Sequence, residues 1–121
     1  GDVYKRQITD SMRAGCMPDG EYDLGGQTVY VKDNYARIAS GSLAGSVLTL
    51  NKAVYNFKEN TNLNIYEAIN LASLNPAKSI KVDDKKGSLE IGKDADIAIF
   101  NENLDCLATI VEGDTIYNKI N

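Results

Sequence analysis

The apolar positions of this chain change their period along its length, and each period points to an element. From 21 to 38 the residues Tyr22, Leu24, Val29, Val31, Tyr35 and Ile38 stand among turn formers, with Gly25-Gly26 and Asp33-Asn34 as breaks. That pattern predicts short strands in a hairpin or meander. Val47, Leu50, Val54 and Phe57 then recur at spacings of three and four, one stripe of a 3.6-residue repeat, and Ser46 stands where a helix cap belongs. A second helix is expected from Asn64, with Glu67 three residues on in capping-box register and Ile65, Ala68, Ile69 and Ala72 on the buried side. Asn75-Pro76 predicts a further short helix over 76–80, with Asn75 as its cap and Pro76 at the first helical position, where a missing N–H has no consequence.

After the solvated turn Asp83-Asp84-Lys85-Lys86-Gly87 the pattern returns to strands, expected at 95–100, 107–112 and 115–118. Gly113-Asp114 is the expected two-residue hairpin turn, because glycine reaches positive φ without a steric penalty. Strands this short and few do not form a stable sheet alone, so they require partners.

Composition narrows the function classes without choosing one. With 43% hydrophobic and 25% charged residues the chain is ordinary for a soluble globular protein. Its 13 basic residues are interspersed with 17 acidic ones, for a net charge of -4, which excludes the clustered basic surface that nucleic acid needs. No run approaches the roughly 18 apolar residues of a membrane helix, and the start lacks a basic-then-apolar signal pattern; a cytoplasmic protein without membrane contact is expected. Cys16 and Cys106 lie far apart in a chain with no histidine, so zinc-ribbon and redox-pair spacings are excluded and both read as free thiols.

Read locally, the candidate chemistry is modest. Asp10 after Thr9 has the pattern of a cap or turn residue. Gly41-Ser42-Leu43-Ala44-Gly45 is a small-residue loop before Ser46, where a ligand could approach backbone N–H groups closely, but no Gly-Lys-Ser/Thr follows to make it a phosphate-binding P-loop. Asp94 and Asp96 match a metal pair by type alone; in a Gly-Lys-Asp-Ala-Asp turn they read as structural carboxylates bonded to local backbone. Arg13 reads as a solvated loop residue and Lys78 as structural.

Larger blocks carry more information. Thr9-Asp10-Ser11-Met12-Arg13-Ala14-Gly15 with Met17-Pro18-Asp19-Gly20-Glu21-Tyr22-Asp23-Leu24-Gly25-Gly26, then Gly41-Ser42-Leu43-Ala44-Gly45-Ser46, resemble the N-acetylglucosamine-6-phosphate deacetylases, a family of the amidohydrolase superfamily. Ser73-Leu74-Asn75-Pro76-Ala77-Lys78 and Gly87-Ser88-Leu89-Glu90-Ile91-Gly92-Lys93-Asp94-Ala95-Asp96 agree, although these are shared across the superfamily. The resemblance runs from Ile8 to about Tyr117. It implies an α/β fold: the C-terminal part of a (β/α)8 amidohydrolase barrel (last strand, hairpin insertion, following helices) over 8–80, plus strands of a small flanking β-sandwich over 81–121. Residues 1–7 are expected to be a non-native junction, because Lys5-Arg6-Gln7 interrupts the apolar run of a central barrel strand; the rival reading is a divergent strand start through Val3-Tyr4.

For function, the resemblance implies hydrolysis of N-acetylglucosamine 6-phosphate to glucosamine 6-phosphate and acetate. Asp10 would be the general base and acid, taking a proton from a metal-bound water and protonating the leaving amine. Leu43, Ala44 and Gly45 would contact the sugar. The family's divalent ion, zinc, iron or manganese, is held by residues on earlier strands that this chain lacks, so the 121-residue chain is expected to be inactive by itself. The implied partner is a small amino-sugar phosphate, and the whole protein is expected to be a homo-oligomer. Two alternatives stand beside this reading: another amidohydrolase acting on a different amide, and a non-catalytic binding or scaffold remnant, which would unfold cooperatively where a severed piece would aggregate.

Overall fold

The computed structural model describes residues 5–120, and these fall into two units, 8–53 and 54–120 with 5–7. The dividing point lies within a helix, α1, at Leu50–Glu59.

The first unit is a four-stranded antiparallel meander. Strands β1 (Gly20–Leu24), β2 (Gln27–Lys32), β3 (Tyr35–Arg37) and β4 (Leu43–Gly45) lie in sequence order. Two primed turns set its register. Gly25 and Gly26 have φ of 60° and 86°, and Asp33 and Asn34 have φ of 51° and 67°. Positive φ at both central residues gives a turn whose twist matches that of the flanking strands, and glycine and asparagine tolerate it best. Tyr22 then pairs with Val29, Val31 with Ala36, and Ala36 with Gly45, so one face of the sheet is apolar. Val29, Val31 and Ala36 are buried there with Ala14, and Met12, Tyr22, Ile38, Ala44 and Val47 pack around them. Val29 is wholly buried, which stabilises the unit by about 1.5–3 kcal/mol relative to an exposed side chain.

The second unit joins short helices to a three-stranded sheet. Helix α2 (Ile65–Asn70) begins with the expected capping box: Asn64 Oδ1 accepts the Glu67 N–H at 2.9 Å, and Glu67 Oε2 accepts the Asn64 N–H at 3.0 Å. Helix α3 covers Leu74–Ser79, and β5 (Ile97–Phe100), β6 (Cys106–Val111) and β7 (Asp114–Asn118) form an antiparallel sheet in that order. Val54, Ala68 and Leu104 make the core, with Tyr55, Ile65, Ala72 and Phe100 against it. Gly87 has φ of 95° and no room for a side chain, since a Cβ there would lie 2.9 Å from Ala77 Cβ and 3.1 Å from Leu74 Cα. All five residues of β7 are exposed.

Several local expectations are corrected. Helix α1 starts at Leu50 rather than after Ser46, because the Ser46 backbone pairs with Ser11 in a parallel bridge and cannot also open a helix. Helix α3 starts at Leu74, with Ser73 before it, so Asn75 and Pro76 lie inside the first turn. Pro76 is still tolerated there, because the first-turn N–H groups have no intrahelical acceptors. The Asn75 side chain donates instead to the Lys5 carbonyl at 2.8 Å. Ile69, expected on the buried side of α2, is exposed. The last hairpin turn is Glu112-Gly113, with φ of 49° and 85°, and Asp114 pairs with Val111 as the first residue of β7. Of the expected junction, residues 1–4 and with them the rival strand start at Val3-Tyr4 lie outside the described residues, while the Gln7 N–H donates to the Leu71 carbonyl at 2.8 Å. Among the described residues no helix is long and apolar enough to cross a membrane.

Candidate active site

Asp10 sits in the irregular segment before the 13–16 turn, exposed, with φ of 51°. A left-handed backbone is uncommon for a residue with a Cβ, and a residue held there points to a local constraint. The constraint comes from the chain on both sides. Ser11 N–H donates to Thr9 Oγ1 at 3.2 Å, Ser11 forms the parallel bridge with Ser46, and Met12 N–H donates to the Ser46 carbonyl at 2.7 Å. The Ser46 hydroxyl donates to the Thr9 carbonyl at 2.9 Å and accepts the Leu48 N–H at 3.1 Å.

Ser46 directly follows β4 (Leu43–Gly45), so these bonds lay the backbone around Asp10 alongside the end of that strand within one unit. Leu43 is 65% exposed and Gly45 is exposed, while Ala44 is half-buried against the meander core. Gly45 packs closely: a Cβ would stand 3.1 Å from Met12 Sδ, so the methionine side chain would have to shift by a few tenths of an ångström. The approach to β4 is fixed as well. Arg37 Nη1 donates to the Gly41 carbonyl at 2.7 Å, the Ile38 N–H to the Ser42 carbonyl at 3.0 Å, and the Gly41 N–H to the Ile38 carbonyl at 2.9 Å. Gly15 has a similar cause, because a Cβ there would meet Ser11 Oγ at 2.3 Å. The result is an exposed Asp10 whose flanking backbone is bonded to the residue that follows a short strand of small and apolar residues.

Asp94 and Asp96 lie in the other unit and do other work. Lys86 Nζ pairs with both, at 2.9 Å from Asp94 Oδ2 and in closer contact with Asp96 Oδ2, while Asp96 Oδ1 accepts the Glu112 N–H at 2.9 Å. Lys86 and then the Glu112 N–H hold the Asp96 carboxyl below its usual range, and Asp96 followed by Asp94 raises the Lys86 ammonium above its own. Both aspartates are thus structural, although Asp96 braces a distant hairpin rather than its own turn. Lys93, helped by Ser88, lowers Glu90 in the same loop.

A metal shell is not among these groups. The sequence has no histidine, and among the described residues no three of Asp, Glu and Cys converge as a metal shell would require. The residues present do not fit a divalent ion. The residue of this site that sequence reasoning misplaced is Ser46, which bonds Thr9, Met12 and Leu48 of its own unit instead of opening a helix; its position directly after Gly45 in the deacetylase-like block was the signal that could have found it.

The chain is 47% identical over 106 residues to an N-acetylglucosamine-6-phosphate deacetylase of Lysinibacillus sphaericus, an alignment that covers 88% of this chain and 27% of that protein. It is 42% identical over 106 residues to an N-acetylgalactosamine-6-phosphate deacetylase of Escherichia coli O157:H7, covering 88% of this chain and 28% of that one. Among solved structures, the N-acetylglucosamine-6-phosphate deacetylase of Pasteurella multocida superposes with a TM-score of 0.82 at 32% identity, over 92% of this chain and 29% of the other. A mutant Mycobacterium smegmatis deacetylase in complex with N-acetyl-D-glucosamine-6-phosphate gives 0.77 at 28% identity, over 93% and 30%. The chain therefore spans little more than a quarter of the length of these two curated relatives. The model described as the amidohydrolase family matches residues 12–116, most of both units, and the chain belongs to the amidohydrolase family.

Proposed function

We propose that these residues are the C-terminal portion of a deacetylase that hydrolyses N-acetylglucosamine 6-phosphate to glucosamine 6-phosphate and acetate. The observation that supports this reading is the pairing of the backbone on either side of Asp10 with Ser46, the residue that directly follows Leu43–Gly45. In the proposed reaction water adds to the acetamide carbonyl, Asp10 accepts its proton, and the C–N bond breaks as Asp10 returns that proton to the amine. Leu43, Ala44 and Gly45 form the wall against which the sugar lies. Amidohydrolases are typically divalent-metal enzymes, and zinc, iron or manganese would be bound by residues other than those present here. In this reading 8–80 belong to the last part of a (β/α)8 barrel and 81–121 to a small β-sandwich, residues 1–7 are a non-native junction, and the whole protein is a cytoplasmic homo-oligomer.

The test is kinetic. In the whole protein, supplied with divalent metal, Asp10→Asn is expected to lower kcat for acetate release by about 10²- to 10⁴-fold, the usual contribution of a positioned acid–base group. An undiminished rate would remove Asp10 from the mechanism. The 121-residue chain is expected to release no glucosamine 6-phosphate above a metal-only background.

A second reading concerns the sugar. Identity to the N-acetylgalactosamine-6-phosphate deacetylase, 42%, lies between the 47% and 40% shared with the N-acetylglucosamine-6-phosphate deacetylases of Lysinibacillus sphaericus and Bacillus subtilis. The C4 epimer is thus a competing substrate. The ratio of kcat/KM for the two sugars decides between them.

A further inference from the structure

We propose that Ser46 is a positioning residue for Asp10: its hydroxyl and carbonyl pin the backbone on both sides of the carboxylate and tie it to the strand carrying Leu43–Gly45. The inference rests on the proposed deacetylase reading for its catalytic consequence and on geometry alone for its structural one. Thr9, immediately before Asp10, gives its carbonyl to Ser46 Oγ at 2.9 Å, and Met12, two residues after, gives its N–H to the Ser46 carbonyl at 2.7 Å. Between these two anchors Asp10 is held at φ 51°. A free segment would relax from that conformation, because an L-residue prefers negative φ.

The hydroxyl is also committed in both directions. It donates to Thr9 and accepts from the Leu48 N–H at 3.1 Å, so its one proton is used and Ser46 is not poised as a nucleophile. Its role is geometric. Because Ser46 follows Gly45 in the chain, any shift of the Asp10 segment relative to the sugar-facing strand is transmitted through this one residue.

A pair of variants that differ only in the hydroxyl isolates this role: Ser46→Thr keeps it, and Ser46→Val has the same shape without it. In the whole metal-loaded protein Ser46→Val is expected to lower kcat on the order of 10²-fold, the effect of misplacing a reacting group by about 1 Å, with KM little changed, while Ser46→Thr recovers most of the rate. In an Asp10→Asn background Ser46→Val should bring no further loss, because the group it positions is gone. An equal loss in both backgrounds would assign Ser46 a merely structural role and overturn the proposal. If the wild-type protein releases no acetate from either sugar while folded, the deacetylase reading falls. Hydrogen exchange then decides the positioning claim: faster exchange of the Met12 amide in Ser46→Val than in Ser46→Thr supports it, and equal protection overturns it.

Discussion

Around Asp10 and the approach to β4 the irregular segments are held by hydrogen bonds to carbonyls and hydroxyls, whereas in the 86–96 loop charged side chains pair with one another. In the first unit, Thr9, Ser11, Met12, Arg37 and Ser46 share bonds whose acceptors are carbonyls or hydroxyls. In the second, Lys86 bridges Asp94 and Asp96, Lys93 pairs with Glu90, and Glu67 completes the α2 cap. The difference has a chemical sense. A carboxylate that must exchange protons with a substrate is best kept clear of fixed counter-ions, which would commit its charge. Among the described residues Asp10 has no ion-pair partner, while Asp94 and Asp96 are both occupied. Carboxylates of one type therefore divide into a candidate proton carrier and structural braces according to their neighbours.

The comparison can be broken at three points, taken from the largest expected effect to the smallest. Gly87→Val asks a β-branched side chain to sit at φ 95° and within 2.9 Å of Ala77 Cβ, so strain and overpacking should together cost about 3 kcal/mol or more. Chemical denaturation should show this loss. A change below about 1 kcal/mol would mean that the loop yields easily and is not fixed by packing.

Val29→Ala removes two buried carbons from the meander core and should cost about 2 kcal/mol. Faster hydrogen exchange along β1–β4 is the readout. Unchanged exchange would show that the ladder, and not the apolar face, holds the first unit.

The smallest effect is the dependence on pH and salt. Asp96 and Glu90 have folded-state values below their unfolded ones. Their contribution is therefore complete above about pH 4, the unfolded carboxylate range, and disappears as pH falls through the depressed folded values. Lys86 is raised, so its contribution is complete below about pH 10.4 and disappears as pH rises through its folded value. These groups are well exposed, and salt will screen them. Asp96→Asn should flatten the acid limb measured on amides of the β6–β7 turn and leave the Met12 amide unaffected. An equal change at Met12 would erase the proposed contrast.

Much of the fold was legible wherever the responsible interaction was local. The 21–38 meander follows from Gly25-Gly26 and Asp33-Asn34, and the α2 start follows from Asn64 and Glu67, each a matter of a few residues. Two of the misreadings have the opposite property. Ser46 resembles a cap until Thr9, 37 residues away, takes its hydroxyl, and Asn75 resembles a cap until Lys5, 70 residues away, takes its amide. Local propensity has no means of detecting a distant partner competing for the same side chain. The final turn was displaced by one residue because glutamate is a poor choice for positive φ, yet Glu112 adopts 49° there. The placement of Asp10 and Leu43–Gly45 came from the resemblance of whole blocks, since neither stands out from its immediate neighbours.

The 37-residue separation between Thr9 and Ser46 also bears on the order in which the unit assembles. The meander hairpins close across two-residue turns and involve neighbours in sequence, so they can form early, whereas the Thr9–Ser46 clasp must bring together distant points and incurs the entropy of a long loop. The candidate site would then be the last part of the unit to mature, and during synthesis it would stay open while the rest of the meander is already paired. Pulse-labelled exchange can detect this order, with the Met12 amide gaining protection after that of Val31; simultaneous protection would show that the clasp forms with the nucleus.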